Sequence, residues 1–307
     1  MAAPLSALNA AFGDTALPER GDWQGCRAMS NAFLAAAGSA KARVGGVTVT
    51  RHGTLAPDGA PVELRWHSRS GETPGSAAVY LHGGGMIGSI LDSYEPFIRS
   101  YVAASGIPML GVEYRLAPEH PHPVPLEDAY AGLRWPAGHS QEMGVDPSRI
   151  AVMGDSAGGG IAAGVALLAG SRGLLLARQI LIYPMLDDRN TVPDPALAPF
   201  VTWSHDENHT GWSALLGQRI GAEAVPPIAA PSRETDLGSV APAYLEAGEL
   251  DILRDKDIEY ARRLARAGIL VELHVHPGVP HGFDLIAPES EVTKRAFADR
   301  IRVLRAL

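Results

Sequence analysis

The residue with the clearest chemical potential in this sequence is Ser156, a serine between two glycines. It is the central residue of a G-x-S-x-G pattern at positions 154–158, which follows an apolar run at 150–153 and precedes small residues at 159–168. This succession predicts a buried strand, a sharp turn and a helix. The G-x-S-x-G form places the serine at the apex of the turn with its hydroxyl exposed. Ser156 is therefore a candidate nucleophile.

A serine hydroxyl becomes a useful nucleophile only when a base takes its proton and an acid orients that base. In a doubly wound hydrolase, these partners follow the serine in the order Asp or Glu, then His. Asp251 and His281 follow Ser156 in that order, each just beyond an apolar run that reads as a strand. We expect all three side chains at one edge of the sheet.

Asp255 is the competing acid, since it lies only four positions beyond Asp251. It falls at the beginning of a predicted helix and is followed at once by Lys256. A carboxylate in a first helical turn is stabilised by the free N–H groups there. We therefore assign a structural role to Asp255 and the catalytic role to Asp251.

Three glycines at positions 83–85 follow His82 and the strand that ends at Leu81. Glycines let the main chain approach a substrate closely and turn its amides inward. The Ala157 N–H, at a helix N-terminus, is also free to face an anion. We predict an oxyanion hole formed by Gly83, Gly84 and Ala157. His82 precedes the nucleophile and is expected to anchor the loop rather than to act as the base.

The pattern of apolar residues predicts the α/β class. Period-two alternation on either side of an Asp58-Gly59 turn indicates a hairpin at a sheet edge. Later apolar runs are continuous, which predicts a mainly parallel, doubly wound sheet with helices on both faces. Those runs lie at 77–81, 107–112, 150–153, 180–183, 243–246 and 270–275, and helical segments are expected at 126–135, 157–168, 256–267 and 292–307.

Two segments do not fit this alternation. Residues 1–43 read as helical, with apolar spacing at Asn9–Phe12 and Met29–Ala37. The Pro- and Trp-containing stretch 190–232 is too long for a connecting loop. We predict that both segments form a helical cap over a catalytic core made of residues 44–189 and 233–307.

Several longer motifs together resemble the bacterial hormone-sensitive-lipase family of carboxylesterases, in its Gly-Asp-Ser-Ala-Gly branch. The matching stretches run in the correct order from about Val79 to Phe283 and comprise HGGG at 82–85, YRLAPEHP at 114–121, GDSAGG at 154–159, Tyr183-Pro184, D-x-LRD at 251–255 and HGF at 281–283. The resemblance implies an α/β-hydrolase core with a helical cap and no cofactor. It also implies that Ser156, His281 and Asp251 are nucleophile, base and orienting acid.

Three further residues are candidates for the substrate pocket. Met86 stands where the family usually has an aromatic residue after the glycines, so we expect it to shape the acyl pocket. Asp155 adjoins the nucleophile, where it can serve the turn instead. Tyr183 lies at a strand end near the cap, where a core position is the alternative.

Two other patterns have a simple structural interpretation. His205 and His209 are spaced to share a helix face, as in some zinc sites, but no third ligand is evident. We predict no metal here and interpret residues 205–209 as polar cap surface. Arg115 and Glu119 are expected to form an internal ion pair that supports the site.

The composition excludes several classes of partner. The 307 residues contain 26 Lys and Arg against 34 Asp and Glu, a net charge of −8, which argues against nucleic acid. A single cysteine, Cys26, excludes an internal disulfide.

No apolar run approaches the roughly 20 residues of a membrane span, and no signal-peptide pattern is visible. We predict a cytoplasmic protein, and a homodimer is compatible with the sequence.

The leading functional prediction is hydrolysis of short- to medium-chain acyl esters through an acyl-enzyme. An amidase or deacetylase would use the same three residues, so the sequence leaves that alternative open. A non-catalytic small-molecule receptor on a hydrolase fold is a third option. The presence of His281 and of both glycines around Ser156 weighs against it.

Overall fold

The computed structural model describes residues 18–41, 44–71 and 75–307. The strands are β1 (Val47–Leu55), β2 (Pro61–Arg69), β3 (Gly75–Leu81), β4 (Met109–Glu113), β5 (Val145–Asp155), β6 (Arg178–Ile182), β7 (Ala243–Gly248) and β8 (Val271–His276). The helices are α1 (Trp23–Ala40), α2 (Leu91–Ser105), α3 (Val124–Gly138), α4 (Ser140–Met143), α5 (Ala157–Ser171), α6 (His205–Leu216), α7 (Arg254–Arg266), α8 (Phe283–Ile286) and α9 (Glu291–Arg305). The predicted helix at Asn9–Phe12 lies outside the described residues.

The strands form one sheet in the order β1-β2-β4-β3-β5-β6-β7-β8. Strand β2 pairs antiparallel with β1 and with β4, and all other pairs are parallel. The mainly parallel sheet and the hairpin at its edge are therefore confirmed. The carboxyl ends of β3, β5, β6, β7 and β8 lie along one edge, where ligands bind in such sheets.

Alternate residues of the central strands enter two separate hydrophobic cores. Val79 of β3 and Val152 of β5 pack with helices α3, α5 and α7 on one face. Tyr80 and Met153, their neighbours in sequence, pack with α1, α2 and α9 on the other. Both faces are covered, which is why these strands are apolar without interruption.

Helix α2 was not expected from the sequence. Its N-cap residue, Ile90, makes no side-chain capping bond, and Pro96 lies inside the helix. The usual start signal is absent and a helix-breaking residue is present. The helix is held instead by burial of Tyr94, Ile98 and Val102 against the sheet.

Across the described residues, no helix is both long and apolar enough to cross a membrane.

The turn between β5 and α5 brings the main chain unusually close to the end of β3. Ser156 has φ 53° and ψ −120°, a left-handed conformation that is costly for a residue with a side chain. A Cβ placed on Gly158 would lie 2.1 Å from the Leu81 carbonyl oxygen and 2.4 Å from that of His82. Only glycine fits at this position.

We expect Gly158→Ala to destabilise the protein by more than about 2 kcal/mol, because backbone atoms cannot move aside as a flexible side chain can. Gly138→Ala is the matched control, since a Cβ there has no atom within 4 Å. Alanine at that helical position should be neutral or stabilising by up to about 1 kcal/mol. Urea unfolding midpoints of the two variants measure the difference, and equal midpoints would contradict the packing argument.

Candidate active site

The structure brings Ser156, His281 and Asp251 together at the carboxyl edge of the sheet. Ser156 Oγ lies 2.8 Å from His281 Nε2, and His281 Nδ1 lies 2.7 Å from Asp251 Oδ2. The serine follows β5, the aspartate follows β7 and the histidine follows β8. All three residues are largely buried, so water screens their interactions poorly.

The hydrogen bonds define the protonation state that this arrangement favours. Because the ionised Asp251 carboxylate can only accept, His281 donates from Nδ1 and its Nε2 is left to accept the Ser156 proton. Burial alone lowers the pKa of His281, but the charge and hydrogen bond of Asp251, with smaller contributions from Asp155 and Asp284, more than offset it. The pKa of His281 therefore lies above its ordinary value.

The two competing acids occupy different environments. Besides facing His281, Asp251 accepts a hydrogen bond from the Leu253 N–H through Oδ1, at 2.9 Å. Asp255 lies in the first turn of α7, as predicted, but its side chain is 75% exposed and pairs with Arg254 at 2.8 Å. Leu253, not Asp255, occupies the N-cap position. Asp255 therefore makes no cap hydrogen bond.

His82 anchors the glycine loop. Its ring stacks on Tyr114 with centroids 4.3 Å apart, and its Nδ1 lies 2.8 Å from the Gly83 carbonyl oxygen. Burial lowers its pKa to about 4, so the imidazole is neutral at physiological pH. These contacts fit the anchoring role expected for it.

The structure corrects the predicted role of Gly83. Gly83 is not part of the cavity wall. Its Cα is hemmed in, because an added Cβ would lie 2.5 Å from Asp155 Oδ2. Gly83 therefore packs against the buried Asp155, while Gly84 and Gly85 line the cavity.

Gly85 takes the place that the sequence interpretation gave to Gly83. Gly84 and Gly85 both line the cavity and have φ of 117° and 65°, values that glycine adopts without strain. Within the described residues, no group accepts a hydrogen bond from the amides of Gly84, Gly85 or Ala157. These three N–H groups are available to a ligand.

The cavity beside Ser156 is small, with a volume of about 80 Å³. Its wall includes two of the three predicted pocket residues, Asp155 and Tyr183. The other lining residues are Met29, Ser30, Phe33, Leu34, Gly84, Gly85, Tyr94, Ser156, Thr202, Trp203, Glu207, His281, Gly282, Leu285 and Ile286.

Asp155 and Tyr183 are each held by specific hydrogen bonds. Asp155 accepts from the hydroxyls of Tyr80 and Tyr94 at 2.8 and 2.6 Å, and burial raises its pKa to about 6. The Tyr183 ring contacts His281 edge-on at 4.7 Å, while its hydroxyl donates to Asp284 at 2.7 Å.

Met86 is not in the cavity wall, so its predicted position is corrected. With φ 67°, its backbone directs the side chain into a buried apolar cluster that includes Ala117, Met185 and Trp212. The Met86 carbonyl also accepts a hydrogen bond from the Ala117 N–H at 3.0 Å. Met86 supports the glycine loop from behind.

Helix α1 is attached directly to the loop that follows the glycines. Arg27 donates to the carbonyl oxygens of Ile87 and Ala117 and pairs with Glu119. Asn31 accepts from the Ser89 N–H at 2.6 Å. The expected Arg115–Glu119 pair is therefore wrong, because Glu119 is bound by α1.

Arg115 instead forms ion pairs with two other acids. Its guanidinium binds Asp128 at 2.7 Å and Asp58 at 2.8 Å. The Asp128 side chain is fully buried, which makes this pair a link between α3 and the loop after β4.

The segment between β6 and β7 covers the site from another direction. The Thr202 hydroxyl donates to the His281 carbonyl oxygen at 2.6 Å. The Trp203 ring lies over Gly85, where an added Cβ would be 2.4 Å from the indole. This segment therefore contacts both the histidine and the glycine loop.

Residues 205–209 form the first turns of α6, but the interpretation as polar surface is wrong for most of them. His205, Glu207 and Asn208 are buried, with Glu207 only 1% exposed. Asn208 donates to the Asn190 carbonyl oxygen at 3.0 Å. The Ser204 side chain and Glu207 form a reciprocal capping box. This Ser-x-x-Glu spacing is visible in the sequence, but it does not reveal that Glu207 reaches the cavity.

The comparisons with known proteins agree with this geometry. A family model described as alpha/beta hydrolase fold matches residues 78–285. The carboxylesterase NlhH of Mycobacterium tuberculosis is 38% identical over 236 residues, covering 74% of each chain. Hormone-sensitive lipase of Bos taurus is 34% identical over 124 residues, which are 40% of this chain and 16% of that protein.

A solved structure of a bacterial heroin esterase superposes with a TM-score of 0.89 at 36% sequence identity, covering 100% of this chain and 97% of that one. The family match spans more than half of the chain, and the similarity to NlhH extends over about three quarters of it. The chain belongs to the α/β-hydrolase fold family, among the carboxylic-ester hydrolases related to hormone-sensitive lipase.

Proposed function

We propose that this carboxylic-ester hydrolase acts on short- to medium-chain acyl esters, with Ser156 as nucleophile, His281 as general base and Asp251 as the orienting acid. The observation that carries the proposal is the continuous hydrogen-bonded line from Ser156 Oγ through both nitrogens of His281 to Asp251 Oδ2. In this geometry, the base reaches the serine proton directly, and the acid fixes the tautomer that accepts it.

The reaction follows from these positions. Ser156 Oγ attacks the ester carbonyl carbon as its proton moves to His281 Nε2. The same proton then passes to the leaving alcohol, which departs and leaves an acyl group on Ser156. Water attacks the acyl-enzyme by the same route, and Asp251 stabilises the imidazolium that forms in each step.

The tetrahedral intermediate carries a negatively charged oxygen that needs hydrogen-bond donors. We assign this role to the amides of Gly84, Gly85 and Ala157. Two observations support the choice: these amides have no acceptor within the described residues, and both glycines line the cavity. Donors fixed in advance in a dry site stabilise charge without reorganisation.

We further propose that α1 and the insertion at 190–232 act as the cap predicted from the sequence over the core 44–189 and 233–307. The Arg27 and Asn31 contacts to the loop 87–89 support it, as does the Thr202 bond to His281. The cap contributes apolar wall residues from α1, among them Met29, Phe33 and Leu34. The predictions of a cytoplasmic location and of a homodimer stay predictions.

The mainly apolar cavity wall sets the first test. Each buried methylene gains roughly 0.8 kcal/mol until the wall is met, so p-nitrophenyl esters should reach their highest kcat/KM at about six to eight acyl carbons. A matched anilide should be cleaved more slowly than the ester, and faster cleavage of the anilide would favour the amidase alternative. Ser156→Ala is the control and should lose turnover of every substrate while keeping its fold. Faster turnover of emulsified long-chain triglycerides would contradict the account.

The assignment of the acid is tested by two isosteric variants. Asp251→Asn should reduce kcat on the order of 10⁴-fold, because the asparagine amide stabilises the wrong histidine tautomer. Asp255→Asn should leave kcat within about twofold and stability within about 0.5 kcal/mol, as expected for an exposed pair. Steady-state kinetics and unfolding midpoints for both variants decide. A folded Asp255→Asn with the larger loss of kcat would exchange the two roles.

The pH dependence of kcat/KM tests the environment of His281. The neutral imidazole is the active base, so the rate falls as pH drops through its pKa. Because that pKa is raised, the acid limb should have its midpoint above the ordinary value of about 6.5. Asp251→Asn removes the main raising influence and should move the midpoint down. A wild-type midpoint at or below about 6.5 would contradict the assigned electrostatics.

A further inference from the structure

The charged groups of the cavity wall are unbalanced. The lining residues include two carboxyl groups, those of Asp155 and Glu207, and the imidazole of His281. No lysine or arginine is among the lining residues described by the structure. A substrate that enters this cavity therefore meets acids without a fixed cation to neutralise them.

The two carboxyl groups differ in what they already bind. Both oxygens of Asp155 accept tyrosine hydroxyls, so that group is satisfied by the protein. Glu207 Oε2 accepts the Ser204 N–H at 2.8 Å, but Oε1 is buried and has no hydrogen-bond partner among the described residues. A buried carboxylate oxygen without a partner is costly, which makes Glu207 the group that a ligand could complete.

Within the described residues, no lysine or arginine pairs with Glu207. Arg20 pairs with Asp206, the exposed neighbour of Glu207, and Arg27 pairs with Glu119. In the described parts of the chain, Glu207 has no ion pair. Burial raises the pKa of Glu207, and an adjacent ligand cation would lower it again because opposite charge favours the ionised form.

Aromatic rings complete the surroundings. Phe33, Tyr94, Tyr183 and Trp203 all contribute to the same wall. Ring faces attract cations, and a carboxylate combined with several rings is a common way to bind an ammonium group. Ammonium N–H groups are also the donors that an unpartnered carboxylate oxygen needs.

We propose that the esters preferred by this site carry a protonated amine, held beside the Glu207 carboxylate by opposite charge, with its alkyl groups packed against the aromatic wall. The proposal rests on the proposed function, since it names the substrate class of the same cavity. Glu207 binds and orients the ester, and the chemistry remains that of Ser156 and His281.

The test compares esters of equal shape that differ only in charge. Dimethylaminoethyl acetate and isopentyl acetate form such a pair with the amine in the alcohol part. Ethyl 4-(dimethylamino)butanoate and ethyl 5-methylhexanoate form a second pair, with the amine in the acyl part. At pH 7, we expect one of the cationic esters to exceed its neutral partner in kcat/KM by ten- to a hundred-fold, the range for a charge-assisted hydrogen bond.

Glu207→Gln is the informative variant, because glutamine keeps the size and the capping-box acceptor while removing the charge. It should reduce the preference for the cationic ester over its neutral partner to within about threefold, mainly through the KM of the cationic ester. Asp206→Asn is the matched control. It removes a negative charge from the same helical turn, on an exposed side chain outside the cavity wall, and should keep the full preference.

Inhibition of the wild type gives a readout that does not depend on the variant folding. Dimethylaminoethanol should inhibit hydrolysis of a neutral ester at least tenfold more strongly than isopentyl alcohol. Equal kcat/KM within both ester pairs, together with equal inhibition, would overturn the proposal and indicate that water satisfies Glu207. Loss of all ester hydrolysis independent of charge would instead count against the proposed function.

Discussion

The site depends on the close approach of two backbone segments, the turn around Ser156 and the end of β3. Gly158 packs directly on the carbonyl oxygens of Leu81 and His82, and Gly154 packs on those of Leu81 and Gly158, with no space for a Cβ at either glycine. Ser156 and the amides of Gly84, Gly85 and Ala157 are therefore positioned by main chain rather than by flexible side chains. Such positioning is rigid, which is what stabilisation of a short-lived anion requires.

A buried network of charged and polar side chains supports this arrangement. Arg300 of α9, 1% exposed, binds Glu246 of β7 and Asp284 of α8, and its guanidinium also donates to the Tyr101 hydroxyl at 2.8 Å. Asp284 in turn accepts the hydroxyl of Tyr183, whose ring contacts His281. The C-terminal helix thus holds the wall beside the histidine. Removing one member would leave a buried charge unpaired, so the network is all-or-none.

The sequence predicts the sheet and the common position of Ser156, Asp251 and His281, for one physical reason. Ser156, Asp251 and His281 each follow an apolar strand, and parallel strands end at a common edge. The sequence does not predict the direction of each amide N–H in the glycine loop, because that direction depends on φ and ψ values that residue types do not determine. Residue types therefore predict Gly83 and Met86 in the cavity wall, whereas Gly85 lines the cavity and the Met86 side chain packs in a buried apolar cluster. The burial of Glu207 and the contact of Arg27 with Glu119 depend on how the cap packs, which local patterns do not encode.

Helix α2 illustrates the same limit. Its residues lack a start signal and include Pro96, so local propensity opposes a helix, and burial of one face against the sheet outweighs it. Where local signals and tertiary packing agree, as in α5 after the serine turn, the sequence is sufficient. Where packing alone decides, the structure is needed.

The central claim is that Ser156 is the nucleophile activated by His281, and covalent labelling tests it most directly. A serine-directed alkyl p-nitrophenyl phosphonate should add one phosphonyl group per chain, with peptide mass spectrometry locating it on Ser156. Labelling should be absent in Ser156→Ala and slowed strongly in Asp251→Asn, because the base is then misoriented. A phosphonyl group on any other residue, or equal labelling of the Ser156→Ala variant, would contradict the account.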